Sequence, residues 1–379
     1  MRKLKNSCLL GLLIGLAGAL AAPAVAAEKG EAPRNVILFG WDGAQRDHVN
    51  ECLARGELPV LKKLAEEGAY VEIDIEGVTD TKAGWSQILT GYYPEVTGVY
   101  SNGRYQSIPK GSSIGERLEK HFGPENVVTL AVIGKKGHVD ADPPRKVRVK
   151  EAAEKPKAGN EKAAKPKKKK RPQGKIIEEG GVKYRLVPGK PHYHMSQNTD
   201  LFENGLVKDA KVGTRAIELI EKHKDQRFFF FVHFAEVDQS GHGHGENSKE
   251  YNDALISNDT WTGKIIDKLK ELGLYEKTQI YITADHGFNE DGKGHSFAPY
   301  VFLASNDKKV NRNGRRQDVA PTILEAFGLD LGKLEPPLDG ISLTKPDNRP
   351  APKIGPARKK PTAQKTAKTK KKRERKAKQ

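Results

Sequence analysis

The residues able to do chemistry in this chain sit where apolar runs end. Tyr281-Ile282-Thr283-Ala284 leads into Asp285-His286-Gly287, so a strand delivers a carboxylate and an imidazole and a glycine then lets the chain turn; His295 follows nine residues after His286. Val36-Ile37-Leu38-Phe39-Gly40-Trp41 leads into Asp42. Phe228-Phe229-Phe230-Phe231-Val232 leads through His233 to Asp238 and, four residues on, to His242. In open α/β sheets ligands bind beyond the carboxyl ends of the strands, and parallel strands present those ends along one edge. Three carboxylates and three imidazoles gathered there suit one or two borderline divalent cations, zinc first and manganese second; magnesium and calcium prefer oxygen donors throughout. Any one of these residues also serves as a strand-end cap, and it is the set of six that argues for metal. His244, two residues beyond His242, is an alternative ligand, and His233, on the strand itself, reads as a core histidine or a support for the ligands.

A fourth place lacks the acid–imidazole pattern. In Thr79-Asp80-Thr81-Lys82-Ala83-Gly84-Trp85-Ser86-Gln87, Thr81 stands at the first position of an expected helix. The positive end of a helix and an adjacent cation both favour the alkoxide, the form that attacks. A phosphate held there would also meet backbone N–H groups. The plainer alternative, that Thr81 is an N-cap, stays open at this point.

The elements that must position these residues alternate. Strands are expected at 35–41, 69–75, 127–133, 227–235, 279–283 and 300–304, and helices at 58–67, 81–90, 209–223, 246–272 and 317–327. This alternation predicts a single α/β domain, a three-layer α/β/α sandwich with a mostly parallel central sheet. About 270 residues remain for it once low-complexity segments are set aside, enough for a full core.

The charge is unevenly placed. Residues 145–175 carry 14 Lys/Arg against 3 Glu, residues 345–379 carry 15 Lys/Arg against 2 acids, and the first 27 residues add +3. With those 27 net positive charges removed from the total of +17, the rest of the chain is at −10. The basic stretches are rich in Lys, Ala and Pro and cannot bury enough apolar surface to fold alone. They read either as solvated segments or as electrostatic tethers to anionic envelope polymers or nucleic acid. Without interleaved aromatic residues they do not support base stacking, so specific nucleic-acid recognition is not expected. Residues 1–27, with a basic start, a short apolar run and Ala24-Val25-Ala26-Ala27, have the form of a secretory signal peptide, and a periplasmic or secreted location is expected. Only Cys52 then remains, which excludes a fold that depends on an internal disulfide. The expected organisation is a leader over 1–27, a catalytic domain over 28–344 interrupted by a basic insert at 145–191, and a Lys-rich disordered tail over 345–379.

Taken together, these motifs resemble the alkaline phosphatase superfamily, and most closely its type I phosphodiesterase/nucleotide pyrophosphatase branch. The resemblance rests on Asp42; Thr81 with Leu89-Thr90-Gly91-Tyr92-Tyr93-Pro94-Glu95 behind it; Asp238-x-x-x-His242; Asp285-His286-Gly287; His295; and the closing Gln317-Asp318-Val319-Ala320-Pro321-Thr322 and Leu338-Asp339-Gly340. It covers most of residues 35–343 apart from the basic insert. It implies an alkaline phosphatase-like fold and two metals, one held by Asp42, Thr81, Asp285 and His286, the other by Asp238, His242 and His295. It further implies that Thr81 is the nucleophile, passing through a phospho-threonine, and that Asn102 donates to a phosphate oxygen. The expected activity is a secreted metal-dependent phosphoric ester hydrolase, a phosphodiesterase. The alternatives are a phosphomonoesterase and a non-catalytic protein binding anionic polymers on the same scaffold. Two departures bear on this choice. Lys82 stands where the diesterase branch often has an aromatic residue; it is either a contact for a monoester's extra charge or a solvent-facing lysine. The short His286–His295 spacing looks more like the mutase and sulfatase branches, yet no Cys/Ser-x-Pro-x-Arg motif surrounds Thr81, which argues against sulfate ester hydrolysis.

Overall fold

The computed structural model describes residues 34–149 and 174–354. The expected leader, residues 150–173 of the basic insert and residues 355–379 of the tail lie outside the described residues.

Eleven strands are present among the described residues. They are β1 Asn35–Trp41, β2 Ala69–Asp74, β3 Val128–Ile133, β4 Arg145–Arg148, β5 Lys175–Glu179, β6 Val182–Val187, β7 Leu201–Asn204, β8 Phe228–Phe234, β9 Thr278–Thr283, β10 Tyr300–Ser305 and β11 Gly314–Arg315. Eight of them form one sheet in the order β11-β2-β10-β9-β1-β8-β3-β7. All are parallel except β10, which runs antiparallel to both neighbours. The central strands β1 and β8 are buried at every residue. Their unbroken apolar runs are what a strand covered on both faces requires.

The helices are α1 Arg46–Ala54, α2 Pro59–Glu67, α3 Thr81–Thr90, α4 Pro94–Thr97, α5 Ile114–Phe122, α6 Asp209–Lys222, α7 Glu236–His244, α8 Lys249–Glu271 and α9 Val319–Ala326. They pack in two groups, α2, α6 and α7 against α8, and α3 and α5 against α9. The domain is thus the expected α/β sandwich with a mostly parallel sheet. Gly40 in β1 lets α3 come close, because a Cβ there would lie 2.4 Å from the Trp85 ring.

Two features of the topology place the site. First, β9, β1 and β8 are adjacent, so the acidic residues after them emerge side by side. Second, β10 runs backwards, which puts its first residue on the same edge as the carboxyl ends of β2 and β9. Tyr300 pairs with Asp74, and Ile75 donates to the Pro299 carbonyl at 2.9 Å. The segment carrying His295 is therefore kept at that edge.

The described ends of the basic insert are structured. Strands β4, β6 and β5 make a small antiparallel sheet, and the returning chain is pinned to the 99–108 loop, where Ile108 donates to the His192 carbonyl at 2.9 Å. The sequence places the start of a disordered tail at 345; the structure instead keeps residues 345–354 on the domain. Arg349 grips both oxygens of the buried Asp318 at 2.8 and 2.7 Å, and Lys353 N–H donates to Glu76 at 3.0 Å. The physical reason is that Asp318 is buried at the start of α9, where a charge needs a partner.

Candidate active site

Asp42, Asp238, Asp285, His242, His286 and His295 converge at the carboxyl edge of β9, β1 and β8. The imidazole of His286 is at the centre. Its Nδ1 bonds to the Gly287 carbonyl at 3.0 Å, which leaves Nε2 with a free lone pair. That Nε2 lies 3.1 Å from Thr81 Oγ1, 3.4 Å from Asp285 Oδ2, 3.7 Å from Asp42 Oδ1 and 3.9 Å from Asp238 Oδ1. His242 shows the same arrangement, with Nδ1 on the Lys293 carbonyl at 2.9 Å and Nε2 directed at Asp238 Oδ1, 3.3 Å away. His295 stacks on His286 with ring centroids 3.9 Å apart. His244 lies outside the cluster, 3.7 Å from Glu250.

Two overlapping ligand sets lie within metal-binding reach: Asp42, Asp285 and His286, and Asp238, His286 and His295. The donors suit a cation, because Asp42 Oδ1, Asp238 Oδ1, Asp285 Oδ2 and His295 Nδ1 are buried without a hydrogen-bond partner. A buried carboxylate oxygen left this way costs free energy unless something positive meets it. The titration behaviour has the same cause. Burial and the charges of Asp42 and Asp238 push the Asp285 carboxyl well above the usual range. Burial acts in the same direction on Asp42, yet His138 and His233 hold its carboxyl well below that range. Burial and the neighbouring His286 take His295 down to about 4, so its ring is neutral and able to ligate at physiological pH.

Thr81 is the first residue of α3, and its place relative to β9 is set by close packing. A Cβ on Gly84 would lie 2.7 Å from Asp285 Cβ and 2.8 Å from its carbonyl oxygen. The buried Arg316 ties the same region together, donating to the carbonyls of Asp285 at 2.8 Å and Val78 at 2.9 Å and to Gln87 at 3.0 Å. Asn102 lies at the open side. Its Oδ1 accepts the Lys82 backbone N–H at 3.0 Å, and its own N–H donates to Asp80 at 2.7 Å. The amide NH2 is thereby the end presented outward. Lys82 itself is neither solvent-facing nor free. It is buried, its ammonium lies 2.7 Å from Asp142 and 4.1 Å from the Tyr105 ring centroid. The loops at 99–105 and 134–142 fold over the first turn of α3 and take Lys82 out of solvent.

Residues 36–299 match the model of the type I phosphodiesterase/nucleotide pyrophosphatase family. The chain belongs to that family. Among curated relatives, the human ectonucleotide pyrophosphatase/phosphodiesterase family member 1 is 26% identical over 277 residues, 70% of this chain and 24% of that protein. The bis(5'-adenosyl)-triphosphatase of Pongo abelii is 24% identical over 269 residues, 68% of this chain and 48% of that protein. The chain thus spans between a quarter and a half of the length of these relatives. A 2,3-bisphosphoglycerate-independent phosphoglycerate mutase from Pseudomonas putida is 34% identical, over 133 residues, 32% of this chain and 24% of that enzyme. Among solved structures, a protein of the alkaline phosphatase superfamily from Vibrio parahaemolyticus superposes with TM-score 0.53 at 16% identity, covering 84% of this chain and 71% of that one. A lipoteichoic acid synthase from Listeria monocytogenes gives 0.50 at 14%, covering 83% and 76%. These likenesses show an alkaline phosphatase-like fold.

Three residues that the sequence patterns do not single out adjoin the candidate cluster. His138 lies 2.8 Å from Asp42 Oδ2, the Lys135 ammonium contacts Asp238 Oδ2, and Arg316 holds the Asp285 backbone. His138 and Lys135 follow β3, another parallel strand whose carboxyl end reaches the same edge.

Proposed function

We propose that this chain is a metal-dependent phosphoric ester hydrolase acting on phosphodiesters, with Thr81 as nucleophile. The observation that carries the reading is Thr81 Oγ1 at the head of α3, 3.1 Å from His286 Nε2 in the middle of the ligand cluster. Two divalent ions, zinc first and manganese second, would be held by Asp42, Thr81, Asp285 and His286 and by Asp238, His242 and His295. When bound, such ions lower the pKa of a coordinated hydroxyl or water and neutralise charge on the transferring phosphoryl group. Thr81 Oγ bonds to phosphorus as the ester bond to the leaving alkoxide breaks, and that oxygen takes up a proton. Water then attacks phosphorus, the Oγ–P bond breaks, and Thr81 regains its proton. The Asn102 amide NH2, whose Oδ1 is taken by the Lys82 N–H, would donate to a non-bridging oxygen, where charge builds in the transition state. The positive end of α3 acts in the same sense.

The state of Lys82 favours a diester over a monoester. A monoester brings an additional negative charge, and the lysine positioned to meet it is already neutralised by Asp142. The leader-like residues 1–27 support a periplasmic or secreted location, and the basic segments support contact with anionic envelope polymers. The test compares bis-p-nitrophenyl phosphate with p-nitrophenyl phosphate on zinc- or manganese-loaded protein beside Thr81→Ala. The reading requires faster diester hydrolysis and loss of at least about a thousandfold in Thr81→Ala. A variant that retains wild-type turnover removes Thr81 from the mechanism.

A further inference from the structure

Arg117 is buried on α5, at 5% exposure, and an arginine is rarely buried without a charged partner. Among the described residues no carboxylate pairs with it. Its one side-chain hydrogen bond there runs from Nη2 to the Tyr92 hydroxyl, and Nε is buried with no partner. The Tyr92 hydroxyl is neutral, because it donates in turn to the Pro336 carbonyl. The Tyr92 ring lies beside the guanidinium, its centroid 5.6 Å from Cζ. A ring and a neutral hydroxyl do not offset a buried full charge.

The guanidinium lines a cavity of about 390 Å3 between α5 and residues 328–335. Lys120 and His121 line it from the next turn of the same helix face, and Leu329 and Leu334 give it an apolar wall. Two acids share the cavity. Asp330 is occupied: it accepts from the Gly332 N–H at 3.1 Å and pairs with Lys333 at 3.2 Å. Glu335 remains, exposed at the rim, and Arg117 with Lys120 outnumbers it. We propose that this cavity binds a small oxyanion carrying an apolar group, with the Arg117 guanidinium as its principal contact.

The planar fork of an arginine matches an oxyanion, which supplies the missing negative charge and the missing acceptor together. The leucines take the apolar part of the ligand, and the volume is within the range of small-molecule sites, about 300–1,000 Å3. The place is distinct from the catalytic cluster. Tyr92 follows the far end of α3, which lies about 14 Å along the helix from Thr81. An anion held by Arg117 therefore reaches the helix that carries Thr81 through Tyr92 alone.

The proposal takes nothing from the reaction proposed above. The test is calorimetric titration of the full, zinc-loaded chain with phenylphosphonate, whose P–C bond is not hydrolysed, beside Arg117→Met, Lys120→Glu and Glu335→Gln. Uptake at the catalytic cluster is common to all four proteins and cancels in the comparison. The expected result is one equivalent fewer in Arg117→Met, or the same equivalent weakened about tenfold or more. Lys120→Glu, an exposed change, should weaken that equivalent about two- to fivefold, and Glu335→Gln, which removes the competing carboxylate, should tighten it. Equal stoichiometry and affinity in wild type, Arg117→Met and Lys120→Glu overturn the proposal, as does equal binding of uncharged benzyl alcohol. Where Arg117→Met does not fold, wild-type crystals soaked in 4-bromophenylphosphonate decide: bromine between α5 and residues 328–335 supports the site, and bromine only at the catalytic cluster, or nowhere, overturns it.

Discussion

Gly84→Ala tests whether the helix that carries Thr81 is positioned by contact with the strand end that carries Asp285. The added methyl would lie 2.7 Å from Asp285 Cβ, 2.8 Å from its carbonyl oxygen and 3.0 Å from an Arg316 nitrogen. Two of these atoms are backbone or next to it, so they cannot swing aside. Restoring a contact of 3.4 Å requires α3 to withdraw by roughly 0.7 Å, and Thr81, one turn earlier, moves with it. A displacement of order 1 Å at a reacting group costs about a hundredfold in rate, or about 2.7 kcal/mol of transition-state stabilisation. The stability change should be much smaller. Replacing an interior helical glycine by alanine gains about 1 kcal/mol, against about 1–3 kcal/mol for overpacking. The expected phenotype is a kcat/KM on bis-p-nitrophenyl phosphate lowered about a hundredfold, with the thermal midpoint moved by only a few degrees and the metal count unchanged. Activity within threefold of wild type would refute the claim that this contact sets the position of Thr81, the proposed nucleophile.

Three further outcomes follow from the structure. Asp142→Asn frees the Lys82 ammonium from its 2.7 Å partner and should raise the ratio of monoester to diester kcat/KM by about three- to tenfold, the effect of roughly 1 kcal/mol; an unchanged ratio means Lys82 does not face the phosphate. Arg349→Ala removes one of the two guanidinium partners of the buried Asp318, leaving Arg312 at 3.3 Å, and should destabilise the domain by about 1.5–3 kcal/mol in chemical denaturation, which a tail loosely lying on the surface would not do. Asp209 is buried, and burial together with the charge of Glu236 raises its carboxyl to about 7. The native state therefore keeps a proton that the unfolded chain has lost from about pH 4 upward, so stability is fully present below pH 4 and declines as pH rises to about 7. Asp209→Asn should be more stable than wild type at pH 8, by on the order of 2–4 kcal/mol, and the difference should shrink toward pH 4; denaturation at the two pH values checks both signs.

The legible parts of the site were those written in apolar runs. The runs before Asp42 and Asp285 have one reading, as buried strands, and the end of such a strand is a location. Helix α3 was equally legible because Gly91, with φ of 79°, ends it in a conformation that glycine adopts without strain. What escaped had a local reason. Helix α7 contains Gly241 and Gly243, poor helix formers, so the short helix that makes Asp238 and His242 neighbours on one face is not apparent in the sequence. The direction of β10 could not be read, since side-chain alternation is the same whichever way a strand runs. His138 was hidden by the polar Gly134-Lys135-Lys136-Gly137 that separates it from β3. The burial of Lys82 is not legible in the sequence because the segments that bury it, around Tyr105 and Asp142, are remote in the chain. The basic composition of the insert obscured β4–β6, whose pairing depends on strands separated by 24 residues outside the described chain.

The position of β1 has a consequence for how the chain reaches its native state. This strand lies in the middle of the sheet, yet its two neighbours, β8 and β9, begin at Phe228 and Thr278. A chain made from its N-terminus therefore carries one of its most apolar segments, with both hydrogen-bonding edges open, for about 190 residues before the first partner exists. Such long-range pairing is slow because loop closure must precede the contacts that reward it, and open apolar edges invite association with other chains. The six site residues span the same interval, from Asp42 to His295. The site, which needs Asp285, His286 and His295, can accordingly assemble only after synthesis has passed β9.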